Sequence, residues 1–442
     1  MAIEDDIKKL KKLQQEQDAK AKKAKNNNVT DFPIEEFIIN KDGNIKANSI
    51  TNIGLILQRD PLLAGKIAFN EFTYEIELLE DIPQLMLEKG LIDDDYTPAL
   101  LGYVEKKYQV MFPEKLLQGA MVNIARRNVF NPVLDYFEAC EQKYDGHPRI
   151  DAFLSDYLGA PRTPTTALEA EIFMIGAVAK TYEPKMKFDY VLDLVGGQGV
   201  GKTTLLKKIS NGWYSDQFTD FENKDNYANM LRALIINDDE MTASNNSSFE
   251  ILKKFISSET LEFRKPYGHA TVRRYENFVM ARTTNEITYL KDKTGERRFM
   301  PVLANKAMQK KSPMTNDLNQ DYIDQLWGEA TTMYRQGFKF LLDDDQEALL
   351  AKNREDFMYI DAEEDAIDRA LQTWNDDFIT SADICDKIGG GNLVGNRQLA
   401  KKIKYVMDNK KDWESSHKRF GKITKRGYRR LHRLHLGTVK MS

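Results

Sequence analysis

The sequence contains little cysteine and no long hydrophobic run, and both absences exclude classes of protein. Cys140 and Cys385 are the only cysteines among 442 residues. Two cysteines cannot form a disulfide scaffold or a cysteine-based zinc cluster, and their scarcity is typical of a reducing cytosol. No apolar segment approaches membrane-spanning length, and polar residues rather than an apolar signal segment follow Met1. We therefore expect a cytoplasmic protein without membrane contacts.

The most specific pattern is a glycine-rich motif of the form G-x-x-x-x-G-K-[ST]. It is formed by Gly196, Gly201, Lys202 and Thr203. Four fixed positions match by chance in only about 1–2% of chains of this length. A short apolar run precedes the motif and a segment with helical spacing follows it. This context predicts a buried strand, a loop and a helix in that order.

The motif predicts ATP and Mg²⁺ as cofactors. Glycines let successive backbone N–H groups enclose an anion, the lysine reaches the β/γ-phosphates, and the Thr203 hydroxyl ligates Mg²⁺. The following helix directs the positive end of its dipole toward the phosphates. An ordinary glycine-rich turn is the alternative. The predicted nucleotide-binding residues are Gly196, Gly197, Gln198, Gly199, Val200, Gly201, Lys202, Thr203 and Thr204.

Acidic residues follow the next apolar run. Residues 231–236 predict a second buried strand, which ends in Asn237, Asp238, Asp239 and Glu240. Acids at the end of a parallel strand beside the loop can hold Mg²⁺ and can orient or deprotonate the attacking water. We predict Asp239 as the magnesium ligand and Glu240 as the residue that activates water. Asp238 is the spare candidate, for which capping of the next helix is the alternative.

A basic turn with interleaved aromatic residues follows. Residues 261–269 predict a short strand and turn, and 273–280 predict a third core strand leading to Asn285. Asn285 can sense the γ-phosphate and the attacking water, or it can simply cap the strand end. The turn suits the phosphate backbone of DNA, with a solvent-exposed hairpin as the alternative. The predicted DNA contacts here are Arg264, Lys265, Tyr267, His269, Arg273 and Arg274.

Two adjacent arginines, Arg297 and Arg298, lie in a polar loop before the apolar run 299–302. An arginine on such a loop can enter the site of a neighbouring subunit and neutralise the charge of the transition state. That effect accelerates phosphoryl transfer by about 10³–10⁵-fold. A solvated surface is the alternative interpretation, and the sequence does not distinguish the two arginines.

The C-terminal segment is strongly basic, although the whole chain has a net charge of −4. Residues 397–442 contain fifteen Lys and Arg but only three Asp and Glu, which gives this segment a net charge of +12. A capped helix, a second helix and a hairpin with turns at Gly421 and Gly427 predict the order of a winged helix. A basic domain without a nucleic-acid role is the alternative. The predicted DNA contacts here are Arg397, Lys401, Lys402, Lys422, Lys425 and Arg426.

These patterns predict an α/β P-loop ATPase core between a mostly helical N-terminal domain and a C-terminal winged-helix domain. The predicted segments are a charged helix or tail over 1–30, the helical domain over 31–180, the ATPase core over 181–340, an acidic linker over 341–370 and the basic domain over 371–442.

The order of these motifs resembles the virulence-associated protein E family of phages and mobile islands. The resemblance covers roughly residues 30–305 and rests on 128–136, 144–151, the glycine-rich motif, 264–268, 283–285 and 294–299. It implies an αβα core akin to superfamily 3 helicases and AAA+ ATPases. By resemblance, Lys202 and Thr203 hold the nucleotide and Mg²⁺, Asn285 is the sensor, and one of the two arginines is the trans finger.

The resemblance also implies ATP-driven DNA unwinding by a homo-oligomeric ring, often a hexamer, that replicates a mobile element in a bacterial host cell. A DNA-bound ATPase switch that regulates transcription or host replication without unwinding is the alternative. Two features depart from the family. Asn237 precedes three acids, which leaves the magnesium carboxylate open, and the short preceding region has no cysteine cluster, so priming is not implied.

Overall fold

The computed structural model describes residues 34–264, 271–290, 296–359, 362–389, 396–408, 410, 412–421 and 423–431. These residues divide into two compact units. The first covers 34–287 and 296–353, and the second covers 288–290 and 354–431. The predicted tail over 1–30 lies outside the described residues.

The first unit begins with a small α/β region that has its own apolar core around Ile53, Leu100 and Leu117. Four short strands form a sheet in the order β3-β2-β1-β4, in which β4 runs parallel to β1. The prediction of a mostly helical region did not include this sheet, because strands of two to four residues are too short to show a period. In chain order the elements are α1 (Ile50–Arg59), β1 (Ile67–Asn70), β2 (Glu75–Leu78), β3 (Gly90–Leu91), α2 (Tyr96–Tyr108), α3 (Glu114–Ala125) and β4 (Val129–Phe130).

Three helices that follow belong to the core of the parallel sheet and not to the small sheet. They are α4 (Pro132–Lys143), α5 (Ile150–Leu158) and α6 (Pro164–Tyr182). Their apolar residues share one cluster with Leu192 and Leu194 of the parallel sheet. Helix α6 is buried at 14 of its 19 positions. The boundary predicted between residues 180 and 181 therefore falls inside a core helix.

The centre of the first unit is a five-stranded parallel sheet in the order β11-β5-β10-β7-β6. Because all five strands are parallel, their carboxyl ends meet at one edge of the sheet. The elements are β5 (Val191–Val195), α7 (Lys202–Ile209), β6 (Tyr214–Ser215), α8 (Asn226–Met230), β7 (Ile235–Asp238), α9 (Thr242–Asn246), α10 (Phe249–Ile256), β8 (Thr260–Arg264), β9 (Thr271–Tyr275), β10 (Val279–Thr284), β11 (Phe299–Leu303), α11 (Gln320–Arg335) and α12 (Asp344–Glu355).

Two strand predictions were wrong in their bounds. The second core strand is β7, which begins at Ile235 rather than at Leu231, because residues 231–234 form the turn that ends α8. The predicted third core strand over 273–280 is also wrong. Residues 271–275 are β9, which pairs antiparallel with β8 as a separate hairpin, and the core strand is β10. Strand β9 alternates exposed and half-buried residues, whereas β10 is buried at all six positions.

The second unit has the order helix, strand, helix, helix and hairpin. It contains α13 (Ala362–Gln372), β12 (Phe378–Ile379), α14 (Ser381–Lys387), α15 (Arg397–Asp408), β13 (Trp413–Phe420) and β14 (Ile423–Arg430). Thr380 and Asp383 form a capping box at the start of α14, as the sequence predicts. Gly421 lies at the hairpin turn, but Gly427 lies within β14, where a Cβ would overlap the Ile379 carbonyl. The prediction of a turn at Gly427 was therefore wrong.

Candidate functional site

The glycine-rich loop connects β5 to α7 and is bent at three glycines. Gly196, Gly199 and Gly201 have φ angles of 148°, 73° and 96°, which side chains rarely tolerate. A Cβ at Gly196 would also overlap the Ala304 carbonyl. The crest formed by Gly197, Gln198 and Gly199 is exposed, so a ligand can reach it. Helix α7 begins directly after Gly201, and its amino end favours anions.

Lys202 lies under the crest and is only 7% exposed. Its Nζ donates to the carbonyl oxygens of Gly196 at 2.6 Å and Gly197 at 3.1 Å, and to Asn285 Oδ1 at 3.0 Å. Burial lowers the pKa of the Lys202 ammonium, whereas the nearby carboxylates of Glu240 and Asp239 raise it. The lysine thus lies between the loop and the acids that follow β7.

Asp239 receives hydrogen bonds from three neighbouring side chains on a single oxygen. The hydroxyls of Thr203 and Thr283 each donate to Asp239 Oδ1 at 2.8 Å, and Asn237 Nδ2 donates at 3.2 Å. These donors come from α7, β10 and β7, which the parallel sheet brings to one edge. The predicted pair of Thr203 and Asp239 is therefore in direct contact, with a hydroxyl and a carboxylate of the type that Mg²⁺ prefers.

Glu240 lies beside Asp239 and contacts Asn285. Asn285 Nδ2 donates to the two carboxylate oxygens of Glu240 at 3.2 and 3.0 Å. The Glu240 backbone N–H donates to Thr283 Oγ1 at 3.0 Å. Glu240 and Met241 both have a φ of 51°, a left-handed conformation that costs on the order of 1–3 kcal/mol per residue. Two consecutive strained residues hold the carboxylate in this position.

Asp238 has a different role from its two neighbours. Its carboxylate accepts hydrogen bonds from the backbone N–H groups of Ala243 and Ser244 at 2.7 and 2.9 Å, and from Ser244 Oγ at 2.5 Å. Burial raises the pKa of Asp238, and these hydrogen bonds oppose the shift. Asp238 therefore holds the start of α9 and is not directed at the loop.

The sequence did not single out Thr283 or Asn237 as partners of Asp239. Thr283 donates to Asp239 and accepts from the Glu240 backbone, so it orients both acids. A signal was present, because Thr283 is the penultimate residue of β10 and lies two residues before the predicted sensor Asn285. Asn237 also donates to the Tyr214 hydroxyl oxygen at 2.9 Å, which connects β7 to the edge strand β6. That contact depends on strand order, which the sequence pattern does not reveal.

Arg297 and Arg298 lie at the amino end of β11, on the edge of the sheet opposite the glycine-rich loop. The Arg297 side chain is 68% exposed, whereas the Arg298 side chain is 17% exposed. Arg298 Nε donates to Ser257 Oγ at 3.0 Å, and both arginines lie 3.9 Å from Asp189 Oδ2. They line a cavity of about 310 Å³ together with Lys187.

The basic hairpin is formed by β8 and β9, and two of its predicted DNA contacts have partners within the protein. Arg273 Nε donates to Thr260 Oγ1 at 3.0 Å, and the Arg274 guanidinium lies 4.9 Å from the centre of the Tyr74 ring. Arg264, at the end of β8, is exposed. The predicted contacts Lys265, Tyr267 and His269 lie outside the described residues.

In the second unit, the predicted DNA contacts divide between α15 and β14. Arg397 and Lys401 on α15 are exposed, and Lys402 is half-buried. Lys425 and Arg426 on β14 are exposed and line a cavity of about 540 Å³. The same cavity is bordered by Lys404 of α15, so cations of both elements meet there. Lys422 lies outside the described residues.

The molecule is a mixed α/β protein with a central parallel sheet. The family model of the Virulence-associated protein E-like domain matches residues 137–359, which is half of the chain. The chain therefore belongs to the virulence-associated protein E-like family, as its motifs indicate. The match includes the whole parallel sheet and the two arginines.

Comparison with curated proteins finds no match. Among solved structures, the chain is similar to the A form apo structure of NrS-1 C terminal region-CTR(305-718), with a TM-score of 0.44 and 13% identity, over 83% of this chain and 96% of that chain. It is likewise similar to the apo structure of NrS-1 C terminal region (305-718), with a TM-score of 0.44 and 13% identity, over 82% of this chain and 95% of that one.

Two negative findings apply to the described part of the chain. None of the helices found there has the length and apolarity needed to cross a bilayer. The same residues contain no group of three or more His, Cys, Asp or Glu side chains arranged to hold a metal ion.

Proposed function

We propose that the protein is an ATP-dependent, ring-forming DNA helicase and replication initiator of a phage or mobile genetic element, with a core of the AAA+ and superfamily 3 type. One observation carries the proposal. Lys202, Thr203, Asp239, Glu240 and Asn285 come from three different strand ends and contact one another at one edge of a parallel sheet. This edge is where open α/β sheets bind their ligands.

Nucleotide binding uses the loop and the two residues that follow it. The triphosphate lies on the exposed crest, and Lys202 exchanges its contacts with the Gly196 and Gly197 carbonyls for phosphate oxygens. The residues fit a magnesium ion, because Thr203 Oγ1 and Asp239 Oδ1 are oxygen ligands that already meet at 2.8 Å. Mg²⁺ bound there with ATP neutralises charge on the phosphates.

Hydrolysis requires a group that orients the attacking water, and Glu240 is the residue proposed for it. Its carboxylate is free of Lys and Arg partners within hydrogen-bonding distance in the described residues and is held by the Asn285 amide. Asn285 also contacts Lys202, so it connects the phosphate-binding lysine to the acid. This connection supports a role for Asn285 as the sensor of the γ-phosphate.

The arginine finger requires a second copy of the chain. Arg297 precedes β11, and a strand of five residues spans about 16 Å, so the two edges of the sheet are well separated. Arg297 therefore contacts the ATP bound to a neighbouring subunit, which favours a closed ring. The resemblance to the family favours a hexamer. The high exposure of Arg297 favours it over Arg298 for this role, because the Arg298 side chain is hydrogen-bonded to Ser257.

The basic segments are the proposed DNA-binding elements. The β8–β9 hairpin contacts single-stranded or forked DNA, and the second unit binds a duplex as a winged helix, with α15 and the β13–β14 hairpin at the phosphates. The helix–strand–helix–helix–hairpin order and the pairing of β12 with β14 support the winged-helix assignment. The proposed location is the cytoplasm of a bacterial host cell.

Strand displacement on a forked DNA duplex with ATP and Mg²⁺ tests the proposal. The wild-type protein should separate the strands, and Lys202→Ala should fail because it loses nucleotide binding. ATP hydrolysis without unwinding, across several fork designs and salt concentrations, would instead support a DNA-bound ATPase switch. Absence of both ATP binding and hydrolysis in the wild-type protein would refute the ATPase assignment itself.

A further inference from the structure

We propose that Lys306 is a second lysine that contacts the nucleotide phosphates from the same subunit. The inference rests on the proposed ATPase function, because it adds a residue to the same site. Lys306 lies in the segment that follows β11, residues 304–318, which we call the collar. Neither the glycine-rich motif nor the acids after β7 include any residue of this segment.

The collar packs directly against the glycine-rich loop. The Ala304 carbonyl and the Pro313 ring fill the space where Gly196 and Gly201 would carry a Cβ. Gln309 Nε2 donates to the Val200 carbonyl at 2.7 Å and bonds the collar to the loop backbone. The collar therefore forms one wall of the proposed phosphate site.

The start of the collar is fixed at both the backbone and the side chain of Asn305. The Asn305 N–H donates to the Leu158 carbonyl at 2.8 Å, and its Oδ1 accepts from the Ala307 N–H at 3.0 Å. A short 3-10 helix from Lys306 to Met308 follows. This arrangement places Lys306 Nζ 3.8 Å from the position that a Cβ on Gly199 would occupy. The ammonium thus lies at the exposed crest of the loop.

Lys306 differs from the neighbouring lysines in lacking a partner. Lys310 Nζ pairs with Asp156 Oδ1 at 2.9 Å, and Lys208 Nζ donates to the Thr315 carbonyl at 2.8 Å. Lys311 lies over the ring of Tyr322 at 5.2 Å. Within the described residues, the Lys306 ammonium makes no hydrogen bond, ion pair or ring contact and is exposed to water.

An unpaired ammonium beside a phosphate-binding loop has a clear chemical use. Phosphate oxygens bound to the N–H groups of the crest would come within reach of Lys306, because its four-carbon stem is flexible. Lys202 would then contact the phosphates from beneath the crest and Lys306 from the outer side. No other described cation is as close to Gly199. The ligand class is a nucleoside triphosphate or diphosphate, and no bond is made or broken by this contact.

The test measures the affinity of the full-length protein for a fluorescent ATP analogue with Mg²⁺ in low and high salt. Lys306→Met should weaken binding about tenfold, which corresponds to about 1.4 kcal/mol. Lys306→Arg should restore affinity to within about threefold of wild type, because it returns the charge. Lys310→Met is the matched control on the same segment, and it should bind like wild type because its charge is already paired with Asp156.

Salt separates a charge contact from a packing effect. The difference between wild type and Lys306→Met should shrink when salt rises from about 0.05 M to 0.5 M, because ions screen exposed charges. An equal affinity of wild type and Lys306→Met at low salt would overturn the inference. A loss of affinity in Lys306→Met that is the same at low and high salt would overturn it too, as would a loss that persists in Lys306→Arg. Lys202→Ala distinguishes a failure of the Lys306 inference from a failure of the proposed nucleotide binding. If wild type binds and Lys202→Ala does not, a silent Lys306→Met refutes only the role of Lys306, whereas a wild type that binds no nucleotide refutes the proposed function as well.

Discussion

A buried ion pair joins two strands of the parallel sheet next to the proposed nucleotide site, and its removal should strongly destabilise the first unit. Arg282 of β10 lies in register with Asp193 of β5. Its Nε and Nη2 donate to the two Asp193 carboxylate oxygens at 2.7 and 2.5 Å, and the two side chains are 3% and 0% exposed. The guanidinium also lies 4.1 Å from the centre of the Phe299 ring.

The pair extends toward the strand that carries the acids. Arg282 Nη1 lies 3.3 Å from Ser244 Oγ, which itself donates to Asp238. Removing one partner leaves a buried charge without compensation, which costs about 3–5 kcal/mol. Arg282→Met should therefore lower the free energy of unfolding of the first unit by this amount. Replacing both charges by apolar side chains of similar size is often neutral, so Asp193→Leu/Arg282→Met should be less destabilised than Arg282→Met alone.

Urea unfolding monitored by tryptophan fluorescence measures the effect. Urea is preferable to guanidinium chloride, because the salt would screen the exposed pairs that the control removes. Trp327 lies in the core of the first unit and Trp213 packs against it, whereas Trp374 and Trp413 belong to the second unit, so the two transitions are fitted separately. Arg335→Met is the control.

The control removes a cation that is 47% exposed and pairs with Glu138 and Glu141. Exposed pairs contribute about 0–1 kcal/mol, so Arg335→Met should have a small effect. An Arg282→Met variant that loses no more stability than Arg335→Met would contradict the cost expected for an unpaired buried charge. A double variant whose loss equals the sum of the losses measured for Asp193→Leu and Arg282→Met alone would contradict it as well, because the two charges would then be independent.

Three further predictions follow from single side chains. Arg297→Ala should fold and bind ATP like wild type, but its rate of ATP hydrolysis should fall by about 10³-fold or more. Parallel measurements of ATP binding and ATPase rate test this, and an unchanged rate in an assembled protein would exclude Arg297 as the finger. Burial raises the pKa of Glu276 above its ordinary value of 4.5, although the Lys180 ammonium opposes the shift. The protonated form therefore favours the folded state, and stability measured by urea unfolding should fall as pH rises above about 4.5. Glu276→Gln should flatten that fall, and an equal slope in both proteins would contradict the assignment. Gly328→Ala in α11 should destabilise the first unit in thermal unfolding, because its Cβ would lie 2.6 Å from the Cys140 carbonyl oxygen. Gly54→Ala in α1 is the control, since its Cβ would meet nothing within 4 Å, and it should stabilise the first unit by up to about 1 kcal/mol.

Local signals in the sequence were sufficient for elements that depend on neighbouring residues. The strand before the glycine-rich loop, helix α7, the Thr380 cap and helix α15 lie where the sequence predicts them. Each depends on a period, a cap or a glycine within a few residues. The basic hairpin is also a local feature, since β8 and β9 are consecutive strands.

Long-range contacts account for what the sequence did not predict. The assignment of 273–280 to the core failed because Glu276 and Asn277 are buried polar residues at the change from hairpin to core strand. Asn277 Nδ2 donates to the carbonyls of Phe72 and Leu231, which lie far away in the chain. Only the folded arrangement supplies these acceptors, so no local pattern could reveal that residues 276–278 separate two strands.

Hydrogen bonds in the folded chain also separate residues that the sequence leaves equivalent, namely the acid proposed for the magnesium ion and the arginine proposed for a neighbouring subunit. The sequence does not distinguish the three adjacent acids, but their hydrogen bonds differ. Both carboxylate oxygens of Asp238 are engaged at the start of α9, whereas the described hydrogen bonds to Asp239 all go to Oδ1. Two adjacent arginines look equivalent as well, but Arg298 contacts Ser257 and is mostly buried, whereas Arg297 is exposed. A side chain whose polar atoms already hold the fold together must break those bonds before it can bind a ligand. These contacts support the proposal that Asp239 and Arg297 contact ligands, whereas Asp238 and Arg298 position the elements around them.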